Sequence, residues 1–241
     1  MGVYKITMIK VILNIYERIK NNNRFEKDFH EFNKCRRILD VGCGRGHFLK
    51  LLGERGIGID GCPDNIKHCR SMGLNVFELM LPNTFPFDDK YFDGIYCSHI
   101  LEHFLPNDVI NIMQEIDRIL KVGGVLFIRS PLFSPAFFDD PTHIRPYHLH
   151  SILHLLGGWE KSGTRQMIIG NECPSYALRT YYEEKIPLYI PKIAPTISPI
   201  KFPLRMLLRG ISHLFVKFGV GKKGAYGAVL VKHQVGKSSD D

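Results

Sequence analysis

Two short stretches of the 241-residue chain concentrate side chains that can move protons or hold anions. The first, Cys97-Ser98-His99-Ile100-Leu101-Glu102-His103, supplies two imidazoles and a carboxylate. The second, Asp139-Asp140-Pro141-Thr142-His143-Ile144-Arg145-Pro146-Tyr147, brings acid, imidazole, guanidinium and phenol together between prolines that fix its course. Histidine changes charge near neutral pH, so His143 and His103 are the candidates for a general base that takes a proton from an acceptor hydroxyl. Arg145 is the candidate anion clamp, with Asp140, His143 and Tyr147 completing a substrate-binding set. The plainer roles are that Glu102 and His103 position a helix and that His143 pins its loop. Asp139, Asp140 and His143 on one loop are not a specific cation signature, and no metal site is expected.

A third stretch, Leu39-Asp40-Val41-Gly42-Cys43-Gly44-Arg45-Gly46, has the form of a nucleotide-binding turn, where glycines let the backbone approach a ligand. A second acid, Asp60, ends the next apolar run about twenty residues further on, an offset that suits a pair of ribose hydroxyls. The spacing is G-x-G-x-G, whereas hydride-transfer enzymes use G-x-G-x-x-G.

These groups can converge only if the intervening elements deliver them to one edge. Apolar patterning predicts strands over 36–41, 57–60, 75–79, 93–97 and 124–129, with helices over 47–53, 63–72 and 107–120 between them. Strands alternating with helices imply a parallel sheet, with ligands above the carboxyl ends of the strands. Helical spacing also predicts an amphipathic helix over 4–20 and a helix over 148–156. A strand within 161–169 and a last strand at 225–232 complete the prediction.

From Ile38 to Gly158 the chain resembles the class I S-adenosylmethionine-dependent methyltransferases, in the large group that acts on small molecules, lipids and glycans. Beyond the glycine turn the likeness includes Phe85-Pro86-Phe87-Asp88-Asp89-Lys90-Tyr91-Phe92-Asp93, the Ser98 to His103 stretch and Arg118-Ile119-Leu120-Lys121-Val122-Gly123-Gly124. It implies a Rossmann-like α/β fold, a seven-stranded sheet of order 3-2-1-4-5-7-6 with the last strand antiparallel. It implies that Gly42, Gly44 and Gly46 wrap S-adenosyl-L-methionine, Asp60 accepts the ribose hydroxyls and Asp40 orients the methionine end. Cys43, Gly61 and Ser98 join that shell, and the spent cofactor is S-adenosyl-L-homocysteine. The family often carries an acid for the adenine amino group before the Pro-Phe block. Here Met80-Leu81-Pro82-Asn83 stands there, leaving Glu78, Asn83 or backbone and apolar contacts. A similar Asp-Pro-Thr-His-x-Arg-Pro-Tyr loop occurs in methyltransferases of polysaccharide and lipid-linked glycan pathways, which points toward sugar substrates.

One domain is expected over 1–241, with an N-terminal helical segment 1–30, a core over 31–171 and 225–235, and a basic, proline-rich insertion or lid over 172–224. Six scattered cysteines fit reduced thiols, and charges break up the apolar N-terminus, so a cytoplasmic protein without a membrane span is expected. Net charge is +8, and no acid occurs from Lys185 to Ser239. Lys201, Arg205, Arg209, His213 and Lys217 recur every four residues beside an apolar face, which suits either a lid or a helix lying on an anionic membrane at the inner face. Nucleic acid is disfavoured because the sequence after the fourth strand lacks both the Asn/Asp-Pro-Pro-Tyr turn and the Pro-Cys nucleophile. The expected activity is O-methylation of a sugar hydroxyl or related group on a glycan or lipid-linked intermediate. The alternatives are a diffusible metabolite or quinone as acceptor, and a non-catalytic S-adenosylmethionine-binding protein. The oligomeric state is left open.

Overall fold

The computed structural model describes residues 25–156, 175–186 and 222–233. The expected helix over 4–20, the strand within 161–169 and the basic stretch through 187–221 lie outside those residues. Seven strands, β1 (Ile38–Val41), β2 (Gly56–Asp60), β3 (Val76–Glu78), β4 (Phe92–Ser98), β5 (Leu120–Pro131), β6 (Ser175–Ile186) and β7 (Lys222–His233), form one sheet in the order β3-β2-β1-β4-β5-β7-β6. β1 to β5 run parallel, and β7 enters antiparallel between β5 and β6. Helices α1 (His47–Leu52), α2 (Pro63–Ser71), α3 (Pro106–Ile119) and α4 (Leu149–Leu155) connect or flank them.

All four residues of β1 are buried, as a central parallel strand covered on both faces must be. In α3, Val109, Ile112, Met113, Ile116 and Ile119 recur every three or four residues and form its buried stripe, and Pro106 sits in the first turn where a missing N–H costs nothing. Near the end of α3, Arg118 donates to the carbonyls of Phe85 and Phe87 and to the carboxylates of Asp89 and Glu115. The Phe85 to Asp93 block is thereby tied to the helix that leads into β5, so much of that likeness is structural.

The second half of the sheet corrects the expected boundaries. Residues 175–186 were expected to open the insertion over 172–224, yet they form β6, the edge strand paired along β7. Tyr176, Thr180, Tyr181 and Tyr182 are aromatic or β-branched residues that suit a pleated surface, and Tyr176 is buried. β7 likewise begins at Lys222, before the expected 225.

One polar cluster crosses the face of the sheet. Arg129 on β5 is 1% exposed and donates to both carboxylate oxygens of Asp28, at 2.6 and 2.9 Å. Tyr96 on β4 and Tyr182 on β6 also donate to Asp28, and Glu184 pairs with Arg129 at 2.8 Å. The helical residues 25–30 are thus pinned to three strands by an ion pair whose members all lose solvent together.

Candidate active site

β1 and β2 deliver the glycine turn and its acid to the carboxyl edge of the sheet. Gly42, Gly44 and Gly46 all adopt left-handed φ, at 69°, 52° and 72°, a region that costs other residues strain. Their surroundings differ. A Cβ on Gly42 would lie 1.9 Å from Ile100 Cδ1, and one on Gly46 would lie 2.5 Å from Leu74 Cδ1, so both are small because neighbouring side chains fill the space. A Cβ on Gly44 would meet nothing within 4 Å. Of the three, Gly44 alone presents bare backbone to an open space.

Asp60 holds this turn together. Its Oδ2 accepts from the Gly44 N–H at 2.8 Å, and its Oδ1 accepts from the Cys62 N–H at 2.9 Å and from Asn65 Nδ2 at 3.1 Å. A carboxylate offers about four lone-pair directions, so little acceptor capacity is left over until a ligand displaces one of these donors. Asp40 lies beneath, 4% exposed. Burial, reinforced by the charge of Asp60, pushes its carboxyl up to about 8. A cationic group arriving there would favour the ionised form.

Other residues expected around the cofactor divide in the same way. The Cys43 N–H donates to the Ile59 carbonyl, and its thiol lies against Gly58 and Cys69, so Cys43 serves the turn's interior. Gly61 lies under Met80, whose side chain is 63% exposed and provides an apolar surface beside the end of β2. Asn83 Nδ2 donates to the Met80 carbonyl at 2.8 Å and closes its own turn, which leaves exposed Glu78, opposite Asp60 in the β2–β3 register, as the polar group at that end. Ser98 closes β4, on the strand face shared with Tyr96.

The acceptor side is assembled from the loops after β4 and β5. A single turn of 3-10 helix, Leu101–His103, follows β4, and the five-residue turn Pro135–Asp139 follows β5. The Ile144 N–H donates to the Glu102 carbonyl at 2.8 Å and ties the two loops together. His103 and His143 come to a ring separation of 5.0 Å, bringing both candidate bases into one place. His143 Nδ1 lies 2.8 Å from the Phe137 carbonyl, an acceptor only, so Nδ1 carries the proton and Nε2 holds the lone pair of the neutral ring.

His103 is set by a relay. The Thr142 hydroxyl donates to Asp140 Oδ1 at 2.6 Å, so its oxygen accepts from His103 Nδ1 at 3.0 Å, alongside the Thr142 carbonyl at 3.3 Å. These Thr142 hydrogen bonds hold the Asp140 carboxyl below its usual range. Asp140, expected to bind substrate, thus fixes the tautomer of His103.

Glu102 is the residue whose importance the sequence did not reveal. It is fully buried, with Oε1 3.2 Å from His99 Nδ1 and Oε2 buried without a hydrogen-bond partner. His99 adopts a left-handed φ of 57°, a conformation uncommon outside glycine that histidine enters more readily than most residues. Tyr147 departs from expectation. It is 4% exposed, its hydroxyl donates to the Phe104 carbonyl and its own carbonyl accepts from Tyr226, so it supports the loop from below. Arg145 remains exposed, stacked over the Tyr147 ring at 5.1 Å. Phe133 and Phe138, 66% and 62% exposed, form an aromatic rim that continues through Phe137 to His143.

Comparison with known proteins agrees with this geometry. A family described as "Methyltransferase domain" matches residues 39–128. The chain is 34% identical over 93 residues to a probable tRNA methyltransferase 9B of Bos taurus, covering 38% of this chain and 20% of that protein. It is 34% identical over 116 residues to a ubiquinone biosynthesis O-methyltransferase of Xanthomonas oryzae pv. oryzae, covering 42% of this chain and 46% of that one. The chain thus spans less than half the length of the curated relatives it matches. A solved S-adenosylmethionine-dependent methyltransferase from Archaeoglobus fulgidus superposes with a TM-score of 0.57 at 26% identity, covering 89% of this chain and 94% of that one.

Proposed function

We propose that the chain is a class I S-adenosylmethionine-dependent methyltransferase that methylates a hydroxyl oxygen, with a sugar of a glycan or lipid-linked intermediate as the acceptor. The observation that carries the oxygen acceptor is the convergence of His103 and His143 at the carboxyl edge, each with its Nδ1 proton committed. Bound S-adenosylmethionine supplies an electrophilic methyl group on a sulfonium. The chain must then align an acceptor, exclude water and take up the hydroxyl proton. Gly44 and Asp60 serve the cofactor side, and the histidine pair with Glu102 receives the hydroxyl. Arg145 stands at the mouth for an anionic portion of the acceptor, and Phe133 and Phe138 offer apolar ring faces beside it.

The sugar is supported by the likeness of the loop from Asp140 to Tyr147 to those of glycan-pathway enzymes. A phenolic acceptor of quinone type is the second reading, favoured by the 34% identity to a ubiquinone biosynthesis O-methyltransferase and by the same exposed aromatic rim. Delivery of the acceptor from an anionic membrane face at the cytoplasmic side belongs to the proposal and is supported by the acid-free stretch from Lys185 to Ser239. Among the described residues, no helix is long and apolar enough to cross a membrane.

The test is transfer of an isotopically labelled methyl group to a panel of hydroxylated glycans, lipid-linked sugars, catechols and tRNA. Label on a sugar oxygen is the expected result. Label on a catechol selects the second reading. Label on tRNA, or cofactor binding with no transfer to any hydroxyl, would overturn both.

A further inference from the structure

The geometry points to a binding site for a divalent transition-metal ion of borderline character, such as Zn2+, formed by Glu102, His103 and His143. One ligand atom from each lies within 4.8 Å of the others. An ion held by bonds of roughly 2.1 Å sets its neighbouring ligands about 3.0 to 3.5 Å apart, so modest side-chain rotation closes the cluster around it.

The two histidines are held as metal ligands are held. His143 donates Nδ1–H to the Phe137 carbonyl. His103 donates Nδ1–H to Thr142, whose hydroxyl is committed onward to Asp140. Backbone and side-chain acceptors of this kind fix the tautomer and orientation of ligating imidazoles and leave the Nε2 lone pair for the ion.

Glu102 supplies an independent observation. One of its oxygens faces His99, whereas Oε2 is buried with no hydrogen-bond donor, an arrangement that a cation would resolve and that a purely structural carboxylate would avoid. The expectation of no metal weighed Asp139, Asp140 and His143 on one loop, whereas this cluster takes its carboxylate and its second imidazole from the loop after β4.

Two imidazoles and one carboxylate leave coordination positions open and favour Zn2+, Mn2+ or Fe2+ over Mg2+, which prefers oxygen ligands. Resting on the hydroxyl acceptor proposed above, the ion would take the acceptor oxygen at an open position and lower its pKa. The proton would leave to solvent, where a lone imidazole would otherwise have to accept it.

The full chain, labelled with 15N at histidine, is titrated with Zn2+ alone and followed by NMR and calorimetry. One ion per chain should bind, shifting the Nε2 resonances of His103 and His143 among the eleven histidines, and the same concentration of Mg2+ should leave them unmoved. Glu102→Gln and His143→Ala should each weaken Zn2+ at least tenfold. Thermal melts identify any variant that fails to fold, and the wild-type shifts need no variant. Unshifted His103 and His143, or unchanged affinity in both folded variants, overturns the site. Methyl transfer at full rate in a chelator would overturn the ion's role and leave the methyltransferase reading standing. Zn2+ binding at the two histidines with no transfer to any hydroxyl would sink that reading and leave the site intact.

Discussion

The carboxyl edge of the sheet has two halves built from different materials. The half above β1 and β2 is made of backbone: a left-handed glycine turn whose Gly44 N–H is held, together with the Cys62 N–H beyond β2, by the single carboxylate of Asp60. The half above β4 and β5 is made of side chains on two loops, where His103 and Thr142 meet across 39 residues of sequence. Backbone sites tolerate little change in conformation but place few demands on side chains. Side-chain sites depend on tautomers, relays and buried charges that one substitution can remove without moving the chain. The two halves should therefore fail differently.

The largest effect is expected on the side-chain half. His143→Ala should lower turnover by about a hundredfold or more while leaving S-adenosylhomocysteine affinity within about twofold. Steady-state kinetics beside calorimetry measure both, and a loss of cofactor affinity equal to the loss of rate would erase the division.

On the backbone half the glycines supply an internal contrast. Gly42→Ala forces a methyl group into Ile100 as well as straining φ, and should cost about 2 to 4 kcal/mol of stability. Gly44→Ala meets no neighbour and should cost only about 1 to 2 kcal/mol from φ alone. Its greater effect should fall on cofactor affinity. Denaturant melts of the pair decide this, and equal destabilisation would mean that Ile100 yields freely.

Asp60→Ala should weaken S-adenosylhomocysteine by about 1 to 3 kcal/mol, since its removal strands the Gly44 and Cys62 N–H groups as well as the ribose hydroxyls. Unchanged affinity by calorimetry would remove Asp60 from the cofactor assignment.

The smallest effect is a pH dependence. With the Asp40 carboxyl raised to about 8, a cationic methionine end binds best to the ionised form, so binding releases a proton. Affinity should rise by about tenfold from pH 7 to pH 9, and Asp40→Asn should flatten the profile. The sign for stability is opposite. This group makes the folded state less stable as pH climbs from about 4 toward 8 and adds no further loss above that, so Asp40→Asn should gain most at alkaline pH. A flat affinity profile in the parent protein would detach Asp40 from the cofactor.

The same contrast explains what the sequence made legible. A strand, a left-handed turn and an acid at the next strand end are local demands, so the glycine turn, Asp60 and the strands through β5 could be read from pattern and spacing, whereas their order in the sheet came from the family resemblance. Gly42 and Gly46 looked alike in sequence, yet their reasons are Ile100 and Leu74, side chains that arrive from elsewhere. Glu102 read as a helix-positioning residue because burial and an unmatched oxygen are properties of the assembled loops. Tyr147 sat in a polar loop but points inward to the Phe104 carbonyl, a contact 43 residues away. β6 hid beside a basic stretch, its pairing specified by a strand still further along the chain.

The insertion of β7 between β5 and β6 gives the protein a timetable. During synthesis β5 is complete at Pro131 and β6 at Ile186, but neither can join the other until β7 begins at Lys222. At roughly 5 to 20 residues per second, β5 waits on the order of 5 to 20 s with the edge that will receive Val229 and Leu230 unpaired. Nascent chains pass through that interval with a template for strand addition exposed, and chaperones that shield strand edges would find their substrate there. Substitutions that slow or weaken β7 should accordingly reduce the yield of folded protein in cells more than they reduce the activity of the molecules that complete the sheet.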